Sequence, residues 1–312
     1  MTVRKTLSVI ISCSLIYILQ GCHKNSGKRI RIGYIPIADC AQLYVGLDKG
    51  YFQKVGIEVD LIKLAGGAKI LEAIAGGSID IGFSNVVSLI LANDAGLDFN
   101  AITGGPRANL EHRETGLLIK KDSKIISLKD LEGKTIAVNT KKNIVELLLL
   151  EYLQMNGVNI SKIKLVEIPF PRMLQVLDLE QVDAIATIEP FVTFGLEQGG
   201  ARIMGHYFTE VMPELEISTY NASEKWANSN HEIVNSFRLA IKEATIFANN
   251  NTQELIEIIA KHTNLSFEQV SSITLPYFGD NVDKNSLVTI ISKVHSKGWI
   301  ENELNPDSLI AK

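Results

Sequence analysis

From Arg29 onward the chain alternates short apolar runs of strand character with longer segments of helical spacing. This limits it to an α/β fold with mostly parallel sheets covered by helices. Arg29 to Ile35 alternates as a strand. Leu43, Tyr44, Leu47 and Tyr51 repeat at helical spacing over 41–52 and Gly56 ends that segment, while Ile57, Val59 and Leu61 alternate with Glu58 and Asp60 as a second strand. Gly66-Gly67 opens a helix over 68–75, a third strand is predicted over 79–83, Asn85 is placed to cap a helix over 86–95, and a fourth strand covers 99–102.

The pattern then recurs. Strands are predicted over 135–138, 166–168 and 182–186. Helices are predicted over 144–155 (capped by Asn139 or Thr140), over 172–179, and from Glu189-Pro190 onward. Gly33 and Asp80 lie 47 positions apart, as do Ile136 and Asp183. Two similar doubly wound halves follow, lobe 1 over 29–118 and lobe 2 over 119–205, facing a cleft. After residue 206 strand signals thin out. The segment 222–249 reads as helical, and Asn251 with Glu254 and Ser266 with Gln269 read as capping boxes. The tail 206–312 is expected to return to lobe 1.

The first 22 residues stand apart. Arg4 and Lys5 precede an uncharged apolar stretch from Leu7 to Leu19, shorter than the roughly 20 residues a membrane span needs but suited to the core of an export signal. Leu19-Gln20-Gly21-Cys22 resembles the lipobox of bacterial lipoproteins, which implies acylation of Cys22; an uncleaved membrane anchor, or cleavage near Gly21 without a lipid, is the alternative. Residues 23–28 read as a tether. Beyond Cys13 and Cys22 only Cys40 remains, so an internal disulfide is excluded and the fold rests on its core. Without Arg4 and Lys5 the net charge is −6, and no basic run points to nucleic acid. No zinc motif, P-loop or nucleophile elbow occurs, so neither metal, cofactor nor catalytic residues are expected.

In open parallel sheets ligands bind beyond the carboxyl ends of the strands, where helix N-termini converge. That rule selects Pro36, Asp39, Gly66, Gly67, Ser84, Asn85, Asn139, Thr140, Phe170, Thr187 and Glu189 as candidate ligand-binding residues. Each has a plainer reading. Gly66-Gly67 is also a turn with positive φ, and Asn85, Asn139 and Thr140 are also helix caps. Phe83 and Phe191 read as core. Asp39 and Glu189 either clasp a cationic group from opposite lobes or are helix-start charges favoured by the macrodipole. Arg107 and Arg113 either contact an anion or, the plainer reading, belong to a solvated hinge loop that also holds His112.

The segments Ile32-Gly33-Tyr34-Ile35-Pro36, Lys49-Gly50-Tyr51-Phe52, Gly76-Gly77-Ser78-Ile79-Asp80-Ile81-Gly82, Ser127 to Lys134, Val182-Asp183-Ala184, Glu189-Pro190-Phe191 and Gln198-Gly199-Gly200 resemble, in order and spacing, the substrate-binding proteins of nitrate, sulfonate, taurine and thiamine-precursor importers. The resemblance spans about residues 29–205. It implies a type II periplasmic-binding-protein fold, closure of two lobes around a small solute, and delivery to an ABC permease and ATPase from the extracytoplasmic side of a membrane. A monomer is expected. The same fold also serves sensors and surface lipoproteins. A yeast-type pyrimidine synthase shares it too, but carries a Cys-rich segment with no counterpart here. Because Asp39 and Glu189 would repel a simple anion, the expected solute is a zwitterion such as taurine or an amino-heterocycle.

Overall fold

The computed structural model describes residues 27–198 and 200–312; the signal segment, Cys22 and Gly199 lie outside them. Two five-stranded sheets form the frame. In the first, Lys28–Tyr34 lies between Ile57–Lys63 and Ile81–Asn85, followed by Ser218–Ser223 and Phe99–Gly104. In the second, Thr135–Val138 lies between Lys164–Glu167 and Ala184–Ile188, followed by Thr115–Lys120 and Ala201–Gly205. The order is the same in both. Three parallel strands come first, and the fourth position is held by an antiparallel strand that reaches the sheet from the other side of a lobe crossing.

The repeat seen in the sequence is built with one device. Asp80 accepts hydrogen bonds from the Arg31 backbone N–H at 2.8 Å and from its guanidinium. Asp183 accepts from the Thr135 backbone N–H at 2.8 Å. Each aspartate thus ties the end of a helix–strand connection to the first strand of its lobe, just before Ile81 or Ala184 joins that strand. The edge strand Phe99–Gly104 of the first sheet and the middle strand Ala184–Ile188 of the second are both buried along their whole length, because helices pack against each of them.

Most predicted elements stand within a few residues of their expected limits. Besides the paired two-residue strands Pro106–Arg107 and Tyr277–Phe278, three strands escaped the sequence pattern: Thr115–Lys120, Ala201–Gly205 and Ser218–Ser223. The last corrects the expectation of a strand-poor chain beyond residue 206; its residues Ser, Thr and Asn gave no apolar alternation, yet it is buried between two strands. The helix 144–155 is capped by Asn143, whose Oδ1 accepts from the Glu146 N–H, and not by Asn139 or Thr140. Asn85 and the Ser266/Gln269 box cap as expected, whereas Asn251 makes no side-chain cap.

The tail touches both lobes. His231–Asn250 and Thr252–His262 pack on Ala41–Asp48 and bury Phe237, Ile241 and Ile259 beside Tyr44 and Phe52. Burying such a side chain contributes about 1.5–3 kcal/mol. Lys284–Ser296 shares a core with Val86–Asp94 of lobe 1 and Ile144–Met155 of lobe 2, and Glu151 pairs with both Lys293 and Lys297.

The chain crosses between lobes twice, and the crossings pair with each other through Ala108 N–H to Leu215 O and Ile217 N–H to Pro106 O. Beside them sits Glu216, fully buried, accepting from the Gly105 and Asp283 N–H groups and from Arg107 at 3.1 Å. Arg107, expected in a solvated loop, is therefore a structural partner. Burial outweighs these donors and raises the Glu216 pKa to about 7. Arg107→Met should destabilise the fold by about 3 kcal/mol at pH 8, where Glu216 would be a buried, unpaired charge. The loss should be smaller at pH 5, where Glu216 is protonated; urea unfolding at both pH values measures it.

Candidate functional site

Three carboxylates near strand ends of the two sheets lie within reach of one another's charge, Asp39 and Glu189 both acting on Glu114. Asp39 lies in the 3-10 turn Ala38–Cys40 of lobe 1. Glu189 follows the strand Ala184–Ile188 of lobe 2, and Glu114 precedes the antiparallel strand Thr115–Lys120, which belongs to the second sheet although the span 29–118 read from the sequence as lobe 1 runs into it. Pairing of Thr115 with Ile188 sets Glu114 opposite Glu189, and the Glu189 N–H donates to Glu114 O at 2.8 Å. Glu114 and Glu189 are only 5% and 4% exposed.

Among the described residues none of the three makes a salt bridge. Desolvation raises the Asp39 pKa to about 6. It also pushes Glu114 well above the usual carboxylate range, with the charges of Asp39 and Glu189 adding to the effect. Burial raises Glu189 as well, against the bonds that favour its charge. Those bonds come from Thr193 N–H at 3.0 Å, Thr193 Oγ1 at 2.8 Å and Thr274 N–H at 3.2 Å. Glu189 thus takes the helix-start role for Phe191–Glu197 and also joins lobe 2 to the tail. Asp39 and Glu114 have no side-chain partner among the described hydrogen bonds, so they hold the free acceptor capacity.

Thr187 lies two residues before Glu189 on the same face of its strand. Its hydroxyl is fully buried and has no hydrogen-bond partner, while Tyr207 donates to its carbonyl. On lobe 1, Gly66 has φ 172°, extended backbone, and Gly67 has no positive φ either, so the positive-φ turn is excluded. Gly67 is required by close approach: a Cβ there would come within 2.5 Å of Ser84 Oγ. No side chain caps the helix Gly67–Ala75, whose N-terminus opens beside buried Ser84. Pro36 is half-buried near the same edge. Asn85 spends its side chain on its own helix through Ser88. Across lobe 2, Asn139 Oδ1 accepts from Asn143 Nδ2, and Thr140 is exposed. Phe170 stacks on Phe191 at 6.4 Å; both are half-buried, so Phe191 is not core, whereas Phe83 is.

Sequence reasoning missed Glu114. It sits at the end of the polar loop read as a hinge, and its signal, an acidic residue just before the apolar run Gly116 to Ile119, carries meaning only once that run is known to pair with Ala184–Ile188. Among the described residues no group of three or more His, Cys, Asp and Glu side chains is placed to hold a metal ion. Two shallow grooves of about 270 and 300 Å³ lie elsewhere, beside Lys49 and Glu254 and beside Leu304.

Asp39, Glu114 and Glu189 each have a folded pKa above the unfolded one. The stability their neutral forms contribute is therefore present at acid pH and lost as pH rises, through about 6 in the case of Asp39. Without ligand, Glu114→Gln should raise the thermal midpoint at pH 8 and leave it nearly unchanged at pH 4.5; equal shifts at both pH values would contradict the assignment.

The "Putative aliphatic sulfonates-binding protein" of Escherichia coli (strain K12) is 24% identical over 80% of this chain and 76% of its own length. The formylaminopyrimidine-binding protein of Halalkalibacterium halodurans is 21% identical over 95% of this chain and 96% of its own. The periplasmic aliphatic sulphonate binding protein of Escherichia coli superposes with a TM-score of 0.76 at 20% identity, covering 92% of this chain and 98% of that one. The fold is therefore that of the type II periplasmic binding proteins, as the resemblance implied. The family model described as NMT1/THI5 like matches residues 37–255, well over half of the chain, and the protein belongs to that family.

Proposed function

We propose that this protein is an extracytoplasmic solute-binding component of an ABC importer and that its solute carries a cationic or amine-bearing nitrogen, as in a taurine-like zwitterion or an amino-heterocycle. The observation that carries the reading is the meeting of Asp39, Glu114 and Glu189 from opposite lobes without a salt-bridge partner among the described residues. A buried carboxylate is costly unless a counter-charge arrives. A bound cation would provide that counter-charge and make ligand capture and lobe closure one event. The uncapped N-terminus of Gly67–Ala75 beside Ser84 supplies donors for the acceptor end of a zwitterion. Phe170 and Phe191 offer a flat apolar wall to a heterocycle.

Membership of the family and the relatives' names as binding proteins support a carrier over an enzyme. No helix among the described residues is long and apolar enough to cross a membrane. The tether is assigned to an acyl chain on Cys22, on the strength of Leu19-Gln20-Gly21-Cys22. Closure around a single solute needs no second copy, so the working unit is a monomer docking on a permease and ATPase.

Taurine and ethanesulfonate differ only in the amine and form the decisive pair, beside 4-aminopyrimidine, thiamine and nitrate. A ligand at 100 times its Kd adds about 2.7 kcal/mol of stability, so thermal unfolding detects it. Amine-bearing ligands should stabilise and ethanesulfonate and nitrate should not; the reverse pattern sinks the reading. Glu114→Gln should weaken the successful ligand by roughly 10- to 100-fold, the worth of a charge-assisted hydrogen bond. Separately, Cys22→Ser should move the protein from the membrane to the soluble fraction.

A further inference from the structure

We infer that Asp39 and Glu114, carried by opposite lobes, are the specificity-determining pair of this cleft: while both are ionised they oppose its closing, and a positive charge between them releases it. This deepens the function proposed above and rests on it. The geometry comes from two independent parts of the chain. Asp39 is held by the turn that starts the helix Ala41–Asp48, whose Tyr44 bonds back to the carbonyls of Ile35 and Ile37. Glu114 is held by the pairing of Thr115–Lys120 with Ala184–Ile188. Neither carboxylate has a side-chain partner among the described residues, although Glu114 is 5% exposed. A second observation marks the place as a ligand site. The Thr187 hydroxyl, fully buried and unpartnered, shares a strand face with Glu189, and the register puts Glu114 on that face too.

Two like charges that share a desolvated space are mutually destabilising, and each favours protonation of the other. Closing the empty cleft therefore requires a proton, and closing a loaded one requires the ligand's cation instead. A neutral or anionic solute leaves the repulsion in place, so the pair rejects it. Glu189 is held differently, because Thr193 and Thr274 already satisfy its charge.

Other titratable groups surround the pair. Cys40, Tyr34, Tyr44 and Tyr220 lie on the Asp39 side, and Tyr207 and Glu189 on the Glu114 side. Glu197 acts on Glu189. His112 bonds the Leu275 carbonyl, His206 the Thr115 carbonyl, and Arg113 the Leu110 carbonyl. Substituting the pair separates its contribution from theirs.

The test needs no ligand, so it can fail independently of the solute panel. Spin labels at Glu72→Cys and Gln175→Cys, exposed on opposite lobes, report the inter-lobe distance by pulsed electron resonance in the full-length protein carrying Cys13→Ser and Cys22→Ser, whose remaining Cys40 is fully buried. The ligand-free protein should show a longer distance at pH 8, with a shorter population growing toward pH 5. One linked proton moves the closed-to-open ratio by at most about tenfold per pH unit. Glu114→Gln should show the shorter population at both pH values, and Asp39→Asn should do the same. A distance unchanged between pH 5 and pH 8, or a wild-type pH response persisting in both variants, overturns the inference.

Discussion

Everything in this molecule depends on how two chain crossings are held against each other. Glu216 has no contact with water, yet it collects the N–H groups of Gly105 and Asp283 and the guanidinium of Arg107. Those partners come from the first crossing and from the start of the final long helix, while Glu216 itself belongs to the second. One carboxylate thus gathers three distant stretches at the point about which two lobes would move. The arrangement is costly, because burial still raises its pKa to about 7. A buried ion pair is a poor device for stability, but it defines a geometry that an apolar contact of the same size would leave free to slide.

On either side of that point the lobes repeat one plan. The same strand order, with an antiparallel strand in fourth place, arises because each sheet borrows that strand across a crossing. The borrowed strands, Ser218–Ser223 and Thr115–Lys120, tie lobe movement to sheet integrity. They also do chemical work. Thr115–Lys120 carries Glu114 at its entry, opposite Glu189 at the exit of its neighbour, so the crossing topology itself places two acidic groups together at the mouth of lobe 2.

The character of the site follows from what surrounds those groups. The carboxylates stand where water is scarce, and among the described residues no basic side chain is paired with them, which raises their affinity for protons. Lobe 1 contributes a different pole, an uncapped helix start beside a buried serine. The proposed preference for a molecule with a donor end and an acceptor end rests on these two poles.

Local pattern alone determined the alternation of strands and helices, the doubling of the chain into two similar halves, and the aspartates that close each half. These depend on residues near in sequence or on hydrophobic periodicity, which any reader of the chain sees. It also made candidates of Asp39, Glu189, Ser84 and Thr187, because strand ends can be located from pattern. Tertiary structure decided the rest. Ser218–Ser223 is a strand only because two strands flank it, and Asn143 rather than Asn139 caps its helix through a backbone path the sequence leaves open. Arg107 is a buried carboxylate's partner across 109 positions, and Glu189 is tied to Thr274 across 85. Glu114 acquires its meaning from a strand pairing. Contacts between residues so far apart are set by how lobes cross and pack, and no periodicity along the chain encodes them.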